Sequence, residues 1–401
     1  MKKNSKFNFA PGERKAIAGL SSVISLRMLG LSFMIPVFSV YATNLPGATT
    51  LLAGVAFGIY GLTQAFLQIP FGFMSDKYGR RPVVAGGLFV FGVGSVIAAI
   101  TTNIYILIAA RFLQGAGAVA SACFAWIADL TEESRRNTAM GFMGMSVGMG
   151  VVGGMVLGPI LAAWWGVPFL FWLSAILSAV AITITLGFLK EPPVNQPHVS
   201  ADFELNAKST LSHALTPDLI KLDLVGFLVN STMIATNFYV PLKLKETLSM
   251  GQLWKVYLPL TVLGGLTMMF SSMRADKGDP KKIIITALIT LTAGFLVMSS
   301  SQGFWVVVAG FALFFAGFSV LEATLPAAVS KLANPAHRGS IIGVYNLSQF
   351  FGVFIGGALA GLLSSAHSGA LFLIMAGAAA SAAILVGAAK GVRPVAPEMV
   401  A

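Results

Sequence analysis

The sequence predicts an all-α membrane protein, with twelve transmembrane helices in two pseudo-symmetric six-helix bundles and both termini in the cytoplasm. Three observations predict it. The first is composition: of 401 residues, 56% are hydrophobic and only 10% are charged, with a mean hydropathy of +0.82. A soluble domain carries about 25% charged residues. The second is that the apolar residues fall into twelve runs, and roughly 20 apolar residues in a helix cross a bilayer core of about 30 Å. The runs are continuously apolar rather than alternating, so they are helices and not barrel strands. The third is the one-sided placement of cations. With the N-terminus inside, 21 Lys and Arg fall in the cytoplasmic tails, joints and central linker. Only Lys243, Lys245 and Lys255 fall on the opposite side, and Arg27 and Arg111 lie within segments. That asymmetry orients the chain by the positive-inside rule. It also accounts for the net charge of +11, which in a soluble protein would have pointed to nucleic acid. No nucleic-acid partner is expected.

Segment one spans about 15–42, behind a basic tail containing Lys2, Lys3, Lys6, Arg14 and Lys15. It is too long for a cleaved signal peptide and carries Arg27, so it is an uncleaved first helix. Segments two and three, about 49–74 and 82–101, flank the charged joint GFMSDKYGRRP at residues 72–82. A charged joint between apolar runs is forced to the membrane surface. There Gly79 permits a turn, Asp76 can accept from N–H groups at a nearby helix N-terminus, and Arg80 and Arg81 can pair with carboxylates or lipid phosphate. Segment four, about 104–128, carries Arg111, Gln114 and the only cysteine, Cys123, and is followed by Asp129. One cysteine forms no intramolecular disulfide and most simply packs.

Segment five, about 137–164, has Gly150, Gly154 and Gly158 every four residues, a smooth face for close helix approach, followed by the helix-bending Pro159. Segment six, about 167–189, closes the first half. A polar, proline-containing linker over 190–218 follows. Segment seven, about 219–243, carries a polar stripe of Asn230, Ser231, Thr232, Thr236 and Asn237 that could line a pathway. Asp223, like Asp129, sits near a helix end and is expected to be solvated or part of a gate. Segments eight to ten lie at about 251–273, 281–300 and 303–329; Glu322, in segment ten, is the carboxylate placed well inside an apolar run. Segments eleven and twelve, about 338–365 and 368–389, complete the set, with about a dozen residues after them and no further domain expected.

The chain repeats itself. RNTAMGFMGMSVGMGVVGGMV at 136–156 overlays RGSIIGVYNLSQFFGVFIGGA at 338–358 with identities at Arg136/Arg338, Gly141/Gly343, Ser146/Ser348, Gly150/Gly352, Val151/Val353 and Gly154/Gly356. Asp76-Lys77 is echoed by Asp276-Lys277. Two halves of like orientation, 1–189 and 219–401, form a parallel repeat.

These motifs resemble those of the major facilitator superfamily. Gly72-Phe-Met-Ser-Asp76-Lys-Tyr-Gly79-Arg80-Arg81 is similar to the loop 2–3 signature G-x-L-a-D-r-x-G-r-[RK], with Met74 where leucine is usual. Arg111-Phe-Leu-Gln114-Gly115-Ala-Gly117 resembles R-x-x-Q-G-x-G. Gly154-Met-Val-Leu-Gly158-Pro159 is similar to the antiporter signature, although its final glycine pair is Ala162-Ala163 here and its first glycine falls on Met145. Leu29-Gly30 and Pro36-Val37 resemble a pattern of twelve-helix drug:proton antiporters, with Ser39 at the last proline. LRMLG, GIYGLTQAFLQIPFG and WKVYL are similar to the bacterial YajR-type efflux transporters, some of which carry an extra C-terminal soluble domain not expected here.

The resemblance implies roles. In the family the loop 2–3 aspartate and arginine latch the two halves when the outside is open; by position the latch would be Asp76, Arg80 and Asp129, against the alternative of a solvated loop. Arg111 corresponds to an arginine tied to proton coupling, or it is a structural hydrogen-bonding residue. It has no cationic counterpart at offset 202, where Leu313 sits. A charge near the membrane centre costs roughly 2.5–3.5 kcal/mol on insertion scales. Arg27 either faces the cavity and attracts anionic or hydrogen-bond-accepting groups, or pairs within its own half. Glu322 is the first candidate to carry the proton, because burial brings a carboxylate into the range where protons exchange; the alternative is a fixed ion pair or inter-helix hydrogen bond. Arg27, Gln114, Asn230, Asn237 and Glu322 are the candidate cavity residues. His198, His213, His337 and His367 fall in loops and receive no role.

The expected function is a proton-driven exporter of amphipathic organic compounds in the inner membrane, with uptake by proton symport as the alternative. The expected partners are membrane lipids, a small-molecule substrate and protons, acting on a monomer. No P-loop, metal cluster or nucleophile with an acid–base partner is present in the sequence, so neither an enzyme nor an ATP-driven pump is expected, and no cofactor beyond the proton gradient.

Overall fold

In the computed structural model, residues 9–192, 216–275, 280–333, 338–364 and 368–388 are described. They form fourteen α-helices and one short 3-10 turn, with no strand among them. In chain order these are α1 (Pro11–Ser32), α2 (Phe38–Ala42), α3 (Thr50–Tyr78), α4 (Arg80–Ile100), α5 (Ile104–Ala116), α6 (Ala120–Leu130), α7 (Glu133–Trp165) and α8 (Val167–Gly187). There follow α9 (Pro217–Leu244), the turn Met250–Gln252, α10 (Trp254–Ala275), α11 (Pro280–Ser300), α12 (Phe304–Leu332), α13 (Arg338–Leu363) and α14 (Ser368–Ala388). Among the described residues eleven spans are long and apolar enough to cross a membrane, with α5 and α6 counted as one; α1 and α2, which hold the expected first segment, are not among them.

Two expected segments are broken. Segment one stops at Ser32 and resumes at Phe38, around Pro36, which has no N–H to give to the helix ladder. Segment four breaks between Ala116 and Ala120. There the backbone must come close to its neighbours: a Cβ on Gly115 would lie 2.2 Å from the Tyr60 carbonyl oxygen, and one on Gly117 2.6 Å from that of Gly87. The joint at 72–82 is also not a loop. α3 runs through Asp76 and Lys77 to Tyr78, and α4 starts at Arg80. Gly79 alone separates them, at φ 98° and ψ 153°, ending one helix and beginning the next in a conformation that side-chain-bearing residues rarely adopt.

The chain divides into two compact units, one of Met1–His198 with Leu248–Tyr257, the other of Val199–Thr247 with Leu258–Ala401. In the first, α1 packs on α7, α4 on α5 and α8, and α3 on α5; in the second, α9 packs on α13 and α11 on α12 and α14. The same contact recurs in both. A Cβ on Gly150 would sit 2.7 Å from the Ser25 carbonyl oxygen, and one on Gly352 2.3 Å from that of Phe227, a common offset of 202. Likewise Gly94 faces the Ala110 carbonyl at 2.8 Å and Gly294 that of Gly310 at 2.7 Å, here at an offset of 200. The match to Arg111 in the second unit is therefore Phe311 rather than Leu313. The absence of a cationic counterpart holds, but the reason is a register change of two residues between the copies.

Candidate functional site

The α3–α4 joint gathers charge around one arginine. Arg80 pairs with Asp76 four residues earlier on the adjoining helix. Its Nε donates to Asp129 Oδ2 at 2.9 Å, and its Nη1 donates to Ser75 Oγ at 2.7 Å. Asp76, Arg80 and Asp129 are thus brought together by the end of α3, the start of α4 and the end of α6. Asp76 does not take the helix N-terminus. That place belongs to Glu191, which follows α8 and accepts from the backbone N–H of Arg80 at 2.6 Å and of Arg81 at 2.9 Å. The position is favourable because the first N–H groups of a helix have no intrahelical partner and carry partial positive charge. Gly79 leaves room for it, since a Cβ there would lie 2.9 Å from Glu191 Oε1. Arg81 also donates from Nε to the Thr185 carbonyl at 3.2 Å, and Trp126 Nε1 donates to the Lys190 carbonyl at 3.1 Å. A Cβ on Gly72 would meet nothing within 4 Å.

Glu191 was not singled out from the sequence. The signal available was an acidic residue directly after the last apolar run of the first half, on the same membrane face as a helix N-terminus. A second cluster joins the start of α1 to the start of α7. Glu13, in the first turn of α1 ahead of the apolar run, accepts from the N–H of Ala10 at 2.8 Å and of Glu132 at 3.1 Å, and pairs with Arg135 at 3.1 Å. Burial pushes the Glu13 carboxyl up, but these N–H groups and the Arg135 guanidinium outweigh it and hold it below its ordinary value.

Inside the first unit two arginines are buried. Arg111 on α5 donates from Nη1 to Gln114 Oε1 at 2.7 Å and from Nε to the Ala56 carbonyl at 3.4 Å. Gln114 Nε2 donates to Ser95 Oγ at 2.8 Å, which donates to the Phe91 carbonyl at 2.8 Å. The Arg111 guanidinium also stands 4.7 Å from the Tyr60 ring centroid and 5.1 Å from that of Phe38, within cation–π range. Arg27 on α1 lies 5.8 Å from the Phe91 ring, and its three guanidinium nitrogens are buried with no hydrogen-bond partner among the described residues. Among the described residues of its own unit, Arg27 meets the Phe91 ring and makes no hydrogen bond. In the second unit the places of Arg111 and Gln114 are taken by Phe311 and Phe314, whose rings stack 5.9 Å apart.

The glycine face of α7 is a built contact. Cβ atoms on Gly154 and Gly158 would lie 2.6 Å from Ser32 Cβ and 2.3 Å from the Phe33 carbonyl oxygen, so only glycine allows α7 to lie this close to the end of α1. Pro159 lies inside α7, which continues to Trp165.

The second unit carries the carboxylates. Leu321, Thr324, Leu325 and Ala328 form the buried face of α12, and Glu322 stands off it, exposed rather than buried. Asp223, expected to be solvated or part of a gate, is not fully solvated. It is half-buried, and its Oδ1 is sequestered with no hydrogen-bond partner among the described residues. The polar stripe of α9 turns inward. Asn230, Ser231, Thr232, Thr236 and Asn237 are all buried, and each donates to a carbonyl of its own helix three or four residues back. Asn237 Oδ1 has no partner among the described residues. The second copy of the joint, Asp276-Lys277, and all four histidines lie outside the described residues.

Comparison with known proteins agrees with this architecture. A sequence profile described as the Major Facilitator Superfamily matches residues 20–356 and 260–400. The inner membrane transport protein YajR of Escherichia coli K12 is 39% identical over 367 residues, 90% of this chain and 80% of its own length. The bacillibactin exporter of Bacillus subtilis 168 is 25% identical, over 90% of this chain and 93% of its own. The crystal structure of the nucleoside transporter NupG shares the fold at a TM-score of 0.77 and 15% identity, covering 93% of this chain and 99% of that one.

Proposed function

The chain belongs to the major facilitator superfamily and is a multi-pass membrane transporter of small molecules, and from that premise we propose that it is a proton-coupled exporter of amphipathic organic compounds in the bacterial inner membrane. It works as a monomer with both termini cytoplasmic, and its halves, 1–189 and 219–401 joined by the linker 190–218, rock to give alternating access to one cavity. Substrate and proton compete for that cavity. Asp76, Arg80 and Asp129 act as the gate on the cytoplasmic face, where Arg81 also meets lipid phosphate. Arg27, Arg111 and Glu322 serve proton coupling, and Gln114, Asn230 and Asn237 serve the cavity.

The observation that carries export over uptake is the seat of α7 on α1 through Gly150, Gly154 and Gly158, followed by Pro159. This is the segment that resembles the family's antiporter signature. Similarity to an exporter of bacillibactin supports the same direction.

The test is proton movement in everted membrane vesicles. Vesicles carrying the protein are energised, internal pH is followed with a quenched dye, and cationic, neutral and anionic amphiphiles are added. A compound that dissipates the gradient through wild type but not through Glu322→Gln or Asp76→Asn is the expected result. Sugars or organic acids moving protons in right-side-out vesicles, with no response to the amphiphiles, would replace export by symport.

A further inference from the structure

We propose that Arg27 is where the first unit holds its substrate, and that the substrate is an amphipathic organic acid whose carboxylate this guanidinium takes. The inference rests on the export reading above and narrows its substrate.

The first observation is an unmet set of donors. Arg27 is 1% exposed, and its Nε, Nη1 and Nη2 are buried without a hydrogen-bond partner among the described residues. The Phe91 ring, 5.8 Å away, meets the positive charge but offers no lone pair, so the five N–H groups stay open. Arg111, the other buried arginine of the unit, differs. It donates to Gln114 Oε1 at 2.7 Å and to the Ala56 carbonyl at 3.4 Å, and it stands over the rings of Tyr60 and Phe38. The chain that holds it runs through Gln114 and Ser95 to the Phe91 carbonyl. Arg111 is thus built into the stretch of α4 whose ring Arg27 meets, while Arg27 keeps a fork to fill.

The second observation is charge balance. Residues 1–198 contain six carboxylates: Glu13, Asp76, Asp129, Glu132, Glu133 and Glu191. Asp76 and Asp129 hold Arg80, Glu13 and Glu132 hold Arg135, Glu191 caps α4, and Glu133 lies in the first turn of α7. All six sit at or beside helix ends, whereas Arg27 lies about 24 Å along α1 from Pro11. The other piece of the unit, Leu248–Tyr257, adds Lys255 and no acid. The unit has no carboxylate of its own to set against this cation. A charge buried without a partner is costly, and an anion that arrives with the ligand removes that cost.

Chemistry selects the class. The guanidinium fork is planar and matches the two oxygens of a carboxylate. Beside it the Phe91 ring and the buried α1 residues Leu20, Val23 and Ile24 are apolar. A small inorganic anion would have to shed its whole hydration shell there, whereas an acid on an apolar body brings in one charged group and little other polar surface. The guanidinium is closed to water in this conformation, and the acid reaches it as the packing beside α1 opens.

The test is equilibrium binding of three probes of similar shape to the purified full chain in phosphatidylcholine nanodiscs at neutral pH. The probes are 2-naphthoate, its uncharged amide and 2-naphthylmethylammonium. Naphthoate is expected to bind about tenfold or more tighter than the amide, and the ammonium weakest. Arg27→Met should bring naphthoate down to the amide and leave the amide unchanged, which also reports that the variant is folded. Arg27→Lys, which keeps the charge but not the fork, should fall between, and it decides alone if the methionine variant does not fold. Naphthoate bound no tighter than the amide in wild type, or as tightly in the variants as in wild type, overturns the proposal. So does naphthoate binding that vanishes when phosphatidylglycerol is added to the nanodisc, because the place then belongs to a lipid phosphate. Naphthoate held through Arg27 in a protein that moves no protons with any compound would retire the proton-coupled reading and leave the acid site standing. Protons moved by cationic amphiphiles, with naphthoate unbound, would do the reverse.

Discussion

Glu191 sets its two carboxylate oxygens on the backbone N–H groups of Arg80 and Arg81, at 2.6 and 2.9 Å, and so caps α4 from a position 111 residues away in the chain. The carboxylate adds charge at the positive end of a helix to the two hydrogen bonds. Removing such a cap costs about 0.5–2 kcal/mol. Glu191→Ala should lower the melting midpoint in detergent and loosen the Arg80–Asp129 pair, with Glu191→Gln in between. An unchanged midpoint in the alanine variant would show that the cap contributes nothing.

Glu13 gives the first unit an acid-sensitive clasp. Its carboxyl is held below the ordinary value of 4.5, so the folded state favours the ionised form. The stabilisation is complete above about 4.5 and is lost as pH falls through the lower, folded value. Melting followed against pH should show a decline on the acid side that Glu13→Gln removes. The same acid-side slope in both proteins would mean that other carboxylates set it.

The two buried arginines should respond in opposite ways to removal of polarity. Gln114→Leu strands Arg111 Nη1 and Ser95, and leaving a buried donor unpaired costs about 1–3 kcal/mol. Arg27 has no hydrogen-bond partner among the described residues to strand. Replacing a buried charge by a well-packed apolar side chain is often neutral or stabilising, by about 1–4 kcal/mol. Arg27→Met should therefore melt no lower than wild type while abolishing substrate-driven proton flux. A variant that melts lower, or that transports normally, would refute a functional role for this charge.

Gly158 and Gly72 separate packing from signature. Gly158→Val forces a side chain into the Phe33 carbonyl, which lies 2.3 Å from where its Cβ would be. Folded protein recovered by size exclusion should fall sharply. Gly72→Ala meets open space and changes helix stability by no more than about 1 kcal/mol. Equal yields for the two would mean that α1 and α7 do not need their close approach.

Much of the fold was legible because hydrophobicity acts locally. A run such as 83–100 is apolar wherever the chain goes, and its exclusion from water needs no partner to be known. The glycine face of α7 was legible for a similar reason: spacing by four puts Gly150, Gly154 and Gly158 on one side of any helix. The grouping of Asp76, Arg80 and Asp129 was legible only through resemblance to a family. Arg80 could have met any nearby acid, and Glu191 went unnoticed because its two donors are backbone N–H groups, which exist only once α4 has formed.

The sequence by itself determined the spans, their proposed orientation and the repeat, because each follows from local polarity and from residue identity at fixed offsets. Tertiary structure alone decided the partners. It closed the 72–82 joint to the single residue Gly79, shifted the match of Arg111 to Phe311, turned the α9 stripe onto its own carbonyls and brought the Asp223 carbonyl to Ser348 of α13. Hydrogen bonds and charge pairs act over a few ångströms, and which groups come that close is settled only when the helices pack.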